Sequence, residues 1–102
     1  MTSTGNRKML NQIQKCLSNY PVERAWLFGS YSRGEEKDES DIDILVKYDR
    51  NAAISLFTIS RIMVQLSKVL GKKVDLVEED ALLPFAAASV NNDKILIYER
   101  SN

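Results

Sequence analysis

A small α/β (α+β) fold, with helices flanking a mixed β-sheet, is predicted by three observations. Helix-period and strand-period segments alternate through the 102 residues in the order α-β-α-β-α-β-α-β. The four strand-like segments are short and aliphatic, and Gly, Pro, Asn or Asp punctuates the connections between them. The apolar fraction of 44% is ordinary for a chain that buries one modest core. No repeat, low-complexity tract or linker interrupts the pattern, so residues 1–102 read as a single domain.

The first helix is predicted from about Asn6 to Ser18. Met9, Leu10, Ile13, Cys16 and Leu17 recur at three- and four-residue spacing, and Lys8, Asn11, Gln12 and Lys15 take the other face. Asn19 and Pro21 end it. Cys16 lies on the apolar side and is assigned to the core. Val22 to Phe28 follows as a strand, with Trp26 and Leu27 as core residues. A second strand runs from Asp41 to Lys47. After the turn at Tyr48-Asp49-Arg50-Asn51, Asp49 or Asn51 is expected to cap a helix from about Ala52 to Leu70. Its core stripe is read as Leu56, Ile59, Met63, Leu66 and Leu70, widened by Ile62 and Val69, with Gly71 as the C-terminal glycine. Lys73 to Val77 is the third strand. Asp80 is a candidate cap of a short helix, and Pro84 starts or kinks another through Val90. Lys94 to Tyr98 closes the sheet.

The chain is organised around Trp26 to Val46, WLFGSYSRGEEKDESDIDILV. Asp41 and Asp43 are separated by one residue in an aliphatic strand, which puts both carboxylates on one face and Ile42, Ile44 and Val46 on the other. Adjacent like charges repel, and folding alone does not reward them. A hard cation such as Mg²⁺ does, because it takes oxygen ligands and keeps the carboxylates ionised. Upstream, Gly29 allows a sharp turn off the first strand and a close backbone approach to a ligand. Ser30 is a candidate N-cap whose following N–H groups face an anion, and Arg33 adds a fixed charge suited to phosphate. Asp75, also mid-strand among apolar residues, is the candidate third acid. Phosphate and metal sites in one strand–turn–strand unit point to metal-assisted phosphoryl or nucleotidyl transfer.

Gly29-Ser30-Tyr31-Ser32-Arg33-Gly34 followed by Ser40-Asp41-Ile42-Asp43 resembles the signature of the polymerase-β-type nucleotidyltransferase superfamily, and most closely its minimal nucleotidyltransferases. Those usually read Gly-Ser-x-Ala-Arg-Gly, so Ser32 departs by one hydroxyl. The resemblance implies the polymerase-β-like nucleotidyltransferase fold, with ATP as substrate and two Mg²⁺ ions. Asp41 and Asp43 would bridge both ions, and Asp75 would bind the one nearer the attacking hydroxyl. It also implies pairing with a helical HEPN-type toxin, with AMP transferred to a toxin hydroxyl, plausibly tyrosine, so that this chain is the antitoxin.

Composition bounds the alternatives. Fourteen basic and fourteen acidic residues cancel, which gives no general attraction to long nucleic acid or to an anionic membrane. With no histidine, Ser-His catalysis and the usual zinc sites are excluded, and with one cysteine so is an internal disulfide. No apolar run reaches membrane-spanning length and the N-terminus lacks a signal-like apolar core, so a cytoplasmic location is expected. The acidic run Glu35 to Glu39 reads as a solvated loop without chemistry. Blander roles are a salt bridge of Arg33 with that loop or with Asp41 and Asp43, and of Asp75 with Lys72 or Lys73. Competing functions are small-molecule transfer of the aminoglycoside-modifying kind and a silent nucleotide- or partner-binding module. The former would need an acceptor-binding region expected beyond the end of this chain, and self-association is left open.

Overall fold

The structure is a computed structural model that describes residues 4–37, 40–82 and 84–100. It consists of α1 (Thr4–Leu17), β1 (Val22–Phe28), β2 (Ile42–Tyr48), α2 (Leu56–Leu70), β3 (Val74–Glu78), α3 (Pro84–Asp93) and β4 (Ile95–Glu99). Short 3₁₀ turns at Gly29–Tyr31 and Glu79–Ala81 follow β1 and β3.

The four strands form one mixed sheet in the order β3-β2-β1-β4. β1 pairs antiparallel with β2 and β4, whereas β2 and β3 are parallel and are joined through α2, since a parallel pair cannot be closed by a tight turn. The aliphatic run of β2 explains its place inside the sheet: Ile42, Ile44, Leu45 and Val46 are all fully buried. α1 and α2 cover one face. There Ile13 and Leu17 of α1 and Ile62 and Leu66 of α2 meet Ile42 and Ile44 in one cluster. Each such side chain contributes roughly 1.5–3 kcal/mol by leaving water. Cys16 belongs to this core as expected, and burial pushes its thiol pKa up, so it is packing material. Trp26 and Leu45, cross-strand neighbours, are buried outside that cluster, on the other face of the sheet. The Lys94 ammonium stands 4.5 Å from the centre of the Trp26 ring.

The predicted mixed sheet, all four strands and the three long helices are present; several caps and one stripe differ. α2 begins at Leu56, not Ala52, because Ser55 is its N-cap: its hydroxyl accepts a bond from the Thr58 N–H at 3.3 Å. Asp49, the earlier candidate, is used elsewhere. It accepts from the Asn51 N–H at 2.9 Å and pairs with Arg100 at 3.0 Å, and these bonds hold its carboxyl below the usual range. Leu56 and Val69 are exposed rather than core, since the sheet and α1 receive the Ile59–Ile62–Leu66–Leu70 side of the helix; Met63 is half-buried beside it. Gly71 ends α2 in the left-handed region at φ 67°, as the sequence requires. Asp80 caps no helix: the turn there has no side-chain cap and is three residues long. Pro84 does open α3, which runs on to Asp93.

Candidate active site

β2 carries the chemistry because its alternation turns Asp43 out of the core while Ile42, Ile44 and Val46 turn in. Its buried positions are apolar, but Asp43 projects from the face away from the α1–α2 core. Cross-strand register does the rest. Phe28, the last residue of β1, lies opposite Asp43, so the turn that follows β1 falls beside that carboxylate. On the other side Asp75 of β3 is the direct partner of Asp43 in the parallel ladder, about 4.8 Å away between strands. Asp41 precedes β2, one residue outside the strand predicted to contain it, and the adjoining Ile42 N–H bonds to the Lys73 carbonyl at 3.0 Å.

The electrostatics of Asp43 show the cost of this arrangement. Its pKa is raised above the ordinary carboxylate value, first by burial, then by the charge of Asp75, then by that of Asp41. Arg33 acts in the opposite direction. Two carboxylates therefore press on a third that is already partly out of water. Among the described residues no three acidic, histidine or cysteine side chains form a ready-made metal cage. The donor set still fits a hard divalent cation, since all three groups supply anionic oxygen and a cation would cancel their repulsion. The Lys73 ammonium, offered above as a partner of Asp75, instead lies 3.9 Å from the Asp41 carboxylate, in an exposed and weak pair.

Gly29 is indispensable for a reason the sequence did not disclose. Its φ is +73°, a left-handed conformation, and a Cβ on it would sit 2.5 Å from Asp43 Oδ2. The close approach expected toward a phosphate is in the structure an approach to the central acid. Ser30 is not an N-cap. The capping position of the 3₁₀ turn is Phe28, with no side-chain cap bond, and Ser30 sits within the turn. The hydroxyl of Ser32, where the resembling family usually has Ala, donates to the Gly29 carbonyl at 2.8 Å and braces the turn. Arg33 bonds Glu35 at 2.5 Å and Asp93 at 3.4 Å, so its pairing with the acidic loop is real and reaches α3 as well. Asp38 and Glu39 of that loop lie outside the described residues. The sequence does not disclose Asp93 as a partner of Arg33, nor Asp41 rather than Asp75 as the partner of Lys73. Nothing in their local context signals either pairing, because both contacts are made between distant elements.

A glycine turn pressed against Asp43, with Asp75 beside it in the ladder and Arg33 acting on its charge, is the arrangement expected of a nucleotidyltransferase. The chain belongs to the polymerase beta, nucleotidyltransferase family, which it matches over residues 11–102. It is 38% identical over 93 residues to a candidate protein adenylyltransferase of Methanocaldococcus jannaschii, covering 89% of this chain and 93% of that one. It is 35% identical over 78 residues to the protein adenylyltransferase MntA of Thermococcus cleftensis, covering 76% and 77%. Among solved structures, a toxin–antitoxin crystal structure with AMP-PNP superimposes with a TM-score of 0.76 at 26% identity, over 90% of this chain and 74% of that one. The fold is thus the polymerase-β-like one that the motifs implied. Among the described residues no helix is long and apolar enough to cross a membrane.

Proposed function

We propose that this chain transfers AMP from ATP to a tyrosine hydroxyl of a HEPN-type toxin with the aid of Mg²⁺, and so acts as an antitoxin in the cytoplasm. The observation that carries the reading is the abutment of the Gly29 turn on Asp43, with Asp75 next to Asp43 in the ladder. It brings a candidate phosphate-binding turn and a metal-binding carboxylate set to one point. The relatives named as protein adenylyltransferases support protein as the acceptor, and the toxin–antitoxin structure with AMP-PNP supports a toxin partner and an adenine nucleotide.

In this mechanism Asp41, Asp43 and Asp75 are the residues that would hold Mg²⁺, and the ion would supply positive charge to offset that of the triphosphate and of the leaving pyrophosphate. Ser30 and the turn backbone orient the phosphates. Arg33 exchanges one of its exposed carboxylate partners for a phosphate oxygen. The acceptor oxygen attacks the α-phosphorus in line, the bond to the bridging oxygen of pyrophosphate breaks, and an Asp75 carboxylate oxygen takes the hydroxyl proton.

The test incubates the protein with Mg²⁺, labelled ATP and the HEPN-type protein of its own genome neighbourhood, followed by intact mass spectrometry. Addition of whole AMP units is expected, lost in Asp41→Asn and Asp43→Asn and strongly reduced in Asp75→Asn. An unmodified HEPN protein beside efficient labelling of an aminoglycoside would move the function to small-molecule transfer.

A further inference from the structure

Phe57, Arg61, Val64 and Lys68 of α2 are spaced so that they form one stripe along the helix. The stripe lies opposite the side that carries Ile62 and Leu66 into the core. Phe57 is 84% exposed and Val64 63% exposed, and nothing in the described chain covers them. A shallow concavity of about 440 Å³ runs along this face, lined by Phe57, Arg61, Val64 and Lys68 among others. A second one, about 580 Å³, is lined by Met63, Val64, Lys68, Lys73 and Asp75. Val64 and Lys68 line both, so one track leads from Phe57 to β3, an edge strand, around which Asp75 lies beside Asp43 on the face away from α2.

We propose that this track is where the acceptor protein docks, through an apolar and acidic segment that delivers its hydroxyl to Asp75. The inference rests on the protein-acceptor reading above and adds the surface and the chemistry of the partner. Two features choose the occupant. The apolar pair Phe57 and Val64 offers anchors of the kind that protein interfaces bury. The charged side chains along the track are Arg61, Lys68 and Lys73, with Asp75 as the single acid, at its catalytic end. The chain as a whole has no net charge, so this excess of cations is local and complements an acidic partner. A second copy of this chain fits less well, because a two-fold pairing of the stripe on itself sets Arg61 and Lys68 against the same cations.

The experiment compares the wild type with Val64→Glu and with the charge reversal Arg61→Glu/Lys68→Glu; all three positions are exposed, so the fold is retained. The acceptor is the HEPN-type protein used above. Its binding is measured by titration with the Asp43→Asn protein as the non-turning-over reference, and AMP transfer is followed as a function of its concentration. Both variants are expected to bind ATP as the wild type does and to raise the KM for the acceptor about tenfold or more, with kcat at saturating acceptor little changed. Val64→Ile restores the wild-type KM. An acceptor bound equally by the wild type and both variants overturns the docking face. Acceptor binding that is lost in Val64→Glu but never followed by AMP transfer supports the docking face and overturns the adenylylation reading instead. A wild-type dimer broken by Val64→Glu, or a single-stranded RNA bound by the wild type and released by the charge reversal, assigns the face to that occupant and overturns the proposal.

Discussion

Gly29→Ala tests the link between the turn and the acid cluster. Two costs are separable. Alanine at φ +73° carries about 1–2 kcal/mol of left-handed strain. Its Cβ also meets Asp43 Oδ2 at 2.5 Å, while Asp43 Cγ is 3.4 Å away, so the carboxylate has to turn aside. Driving Asp43 off its rotamer adds about 0.5–1.5 kcal/mol. The total is roughly 1.5–3.5 kcal/mol of stability, read by urea denaturation as a lower midpoint at unchanged m. In an Asp43→Ala background the contact has no partner, so the same glycine substitution costs only the strain. The double-mutant cycle should therefore return a coupling of about 0.5–1.5 kcal/mol. Gly34→Ala is the control: its φ is +69° with no atom within 4 Å of the added Cβ, so it carries strain alone and no coupling to Asp43. AMP transfer by the folded Gly29→Ala protein should fall far more than that of Gly34→Ala, because Asp43 has been moved. Equal stability losses with and without the Asp43 carboxylate would refute the argument.

Asp43→Asn should be at least as stable as the wild type at neutral pH in metal-free buffer. The folded-state pKa of Asp43 is raised, so its favourable contribution is complete below the unfolded value of about 4 and is lost as pH rises through the folded one. The amide removes that loss, and its advantage should vanish in acid; a denaturation series across pH checks this, and a constant difference would contradict it. Arg33→Ala should leave the melting temperature unchanged, because its pairs with Glu35 and Asp93 are exposed, yet weaken ATP binding in a calorimetric titration. Leu66→Ala should cost about 2–5 kcal/mol in urea denaturation, since Leu66 is fully buried. Val64→Ala, two residues earlier on the same helix, should fall within about 0.5 kcal/mol of the wild type.

Among the described residues the helix expected between β1 and β2 is only the 3₁₀ turn Gly29–Tyr31. The four strands, the three long helices, the place of Cys16 and Leu27 in the core, the glycine after β1 and the carboxylates around β2 are legible in the sequence by itself. Each is a local property: periodicity sets which face is buried, and a glycine or a mid-strand carboxylate stands out against its immediate neighbours. Cap positions were less legible because Asp49, Asn51 and Ser55 are all competent N-caps; Ser55 prevails once Asp49 is engaged by Asn51 and Arg100. The stripe of α2 was ambiguous for a related reason. Periodicity places Ile62 and Leu66 in the core correctly, but it cannot set the width of the stripe, and Leu56 and Val69 at its margins are exposed. Tertiary structure alone decided the contacts across elements. Asp75 meets Asp43 because α2 returns β3 parallel to β2 in one register, and a shift of one residue would turn Asp75 to the other face. Gly29 touches Asp43 because Phe28 is paired with it, and Arg33 reaches Asp93 across a separation of 60 residues. Such contacts depend on how a core packs at long range, which no window of neighbouring residues records.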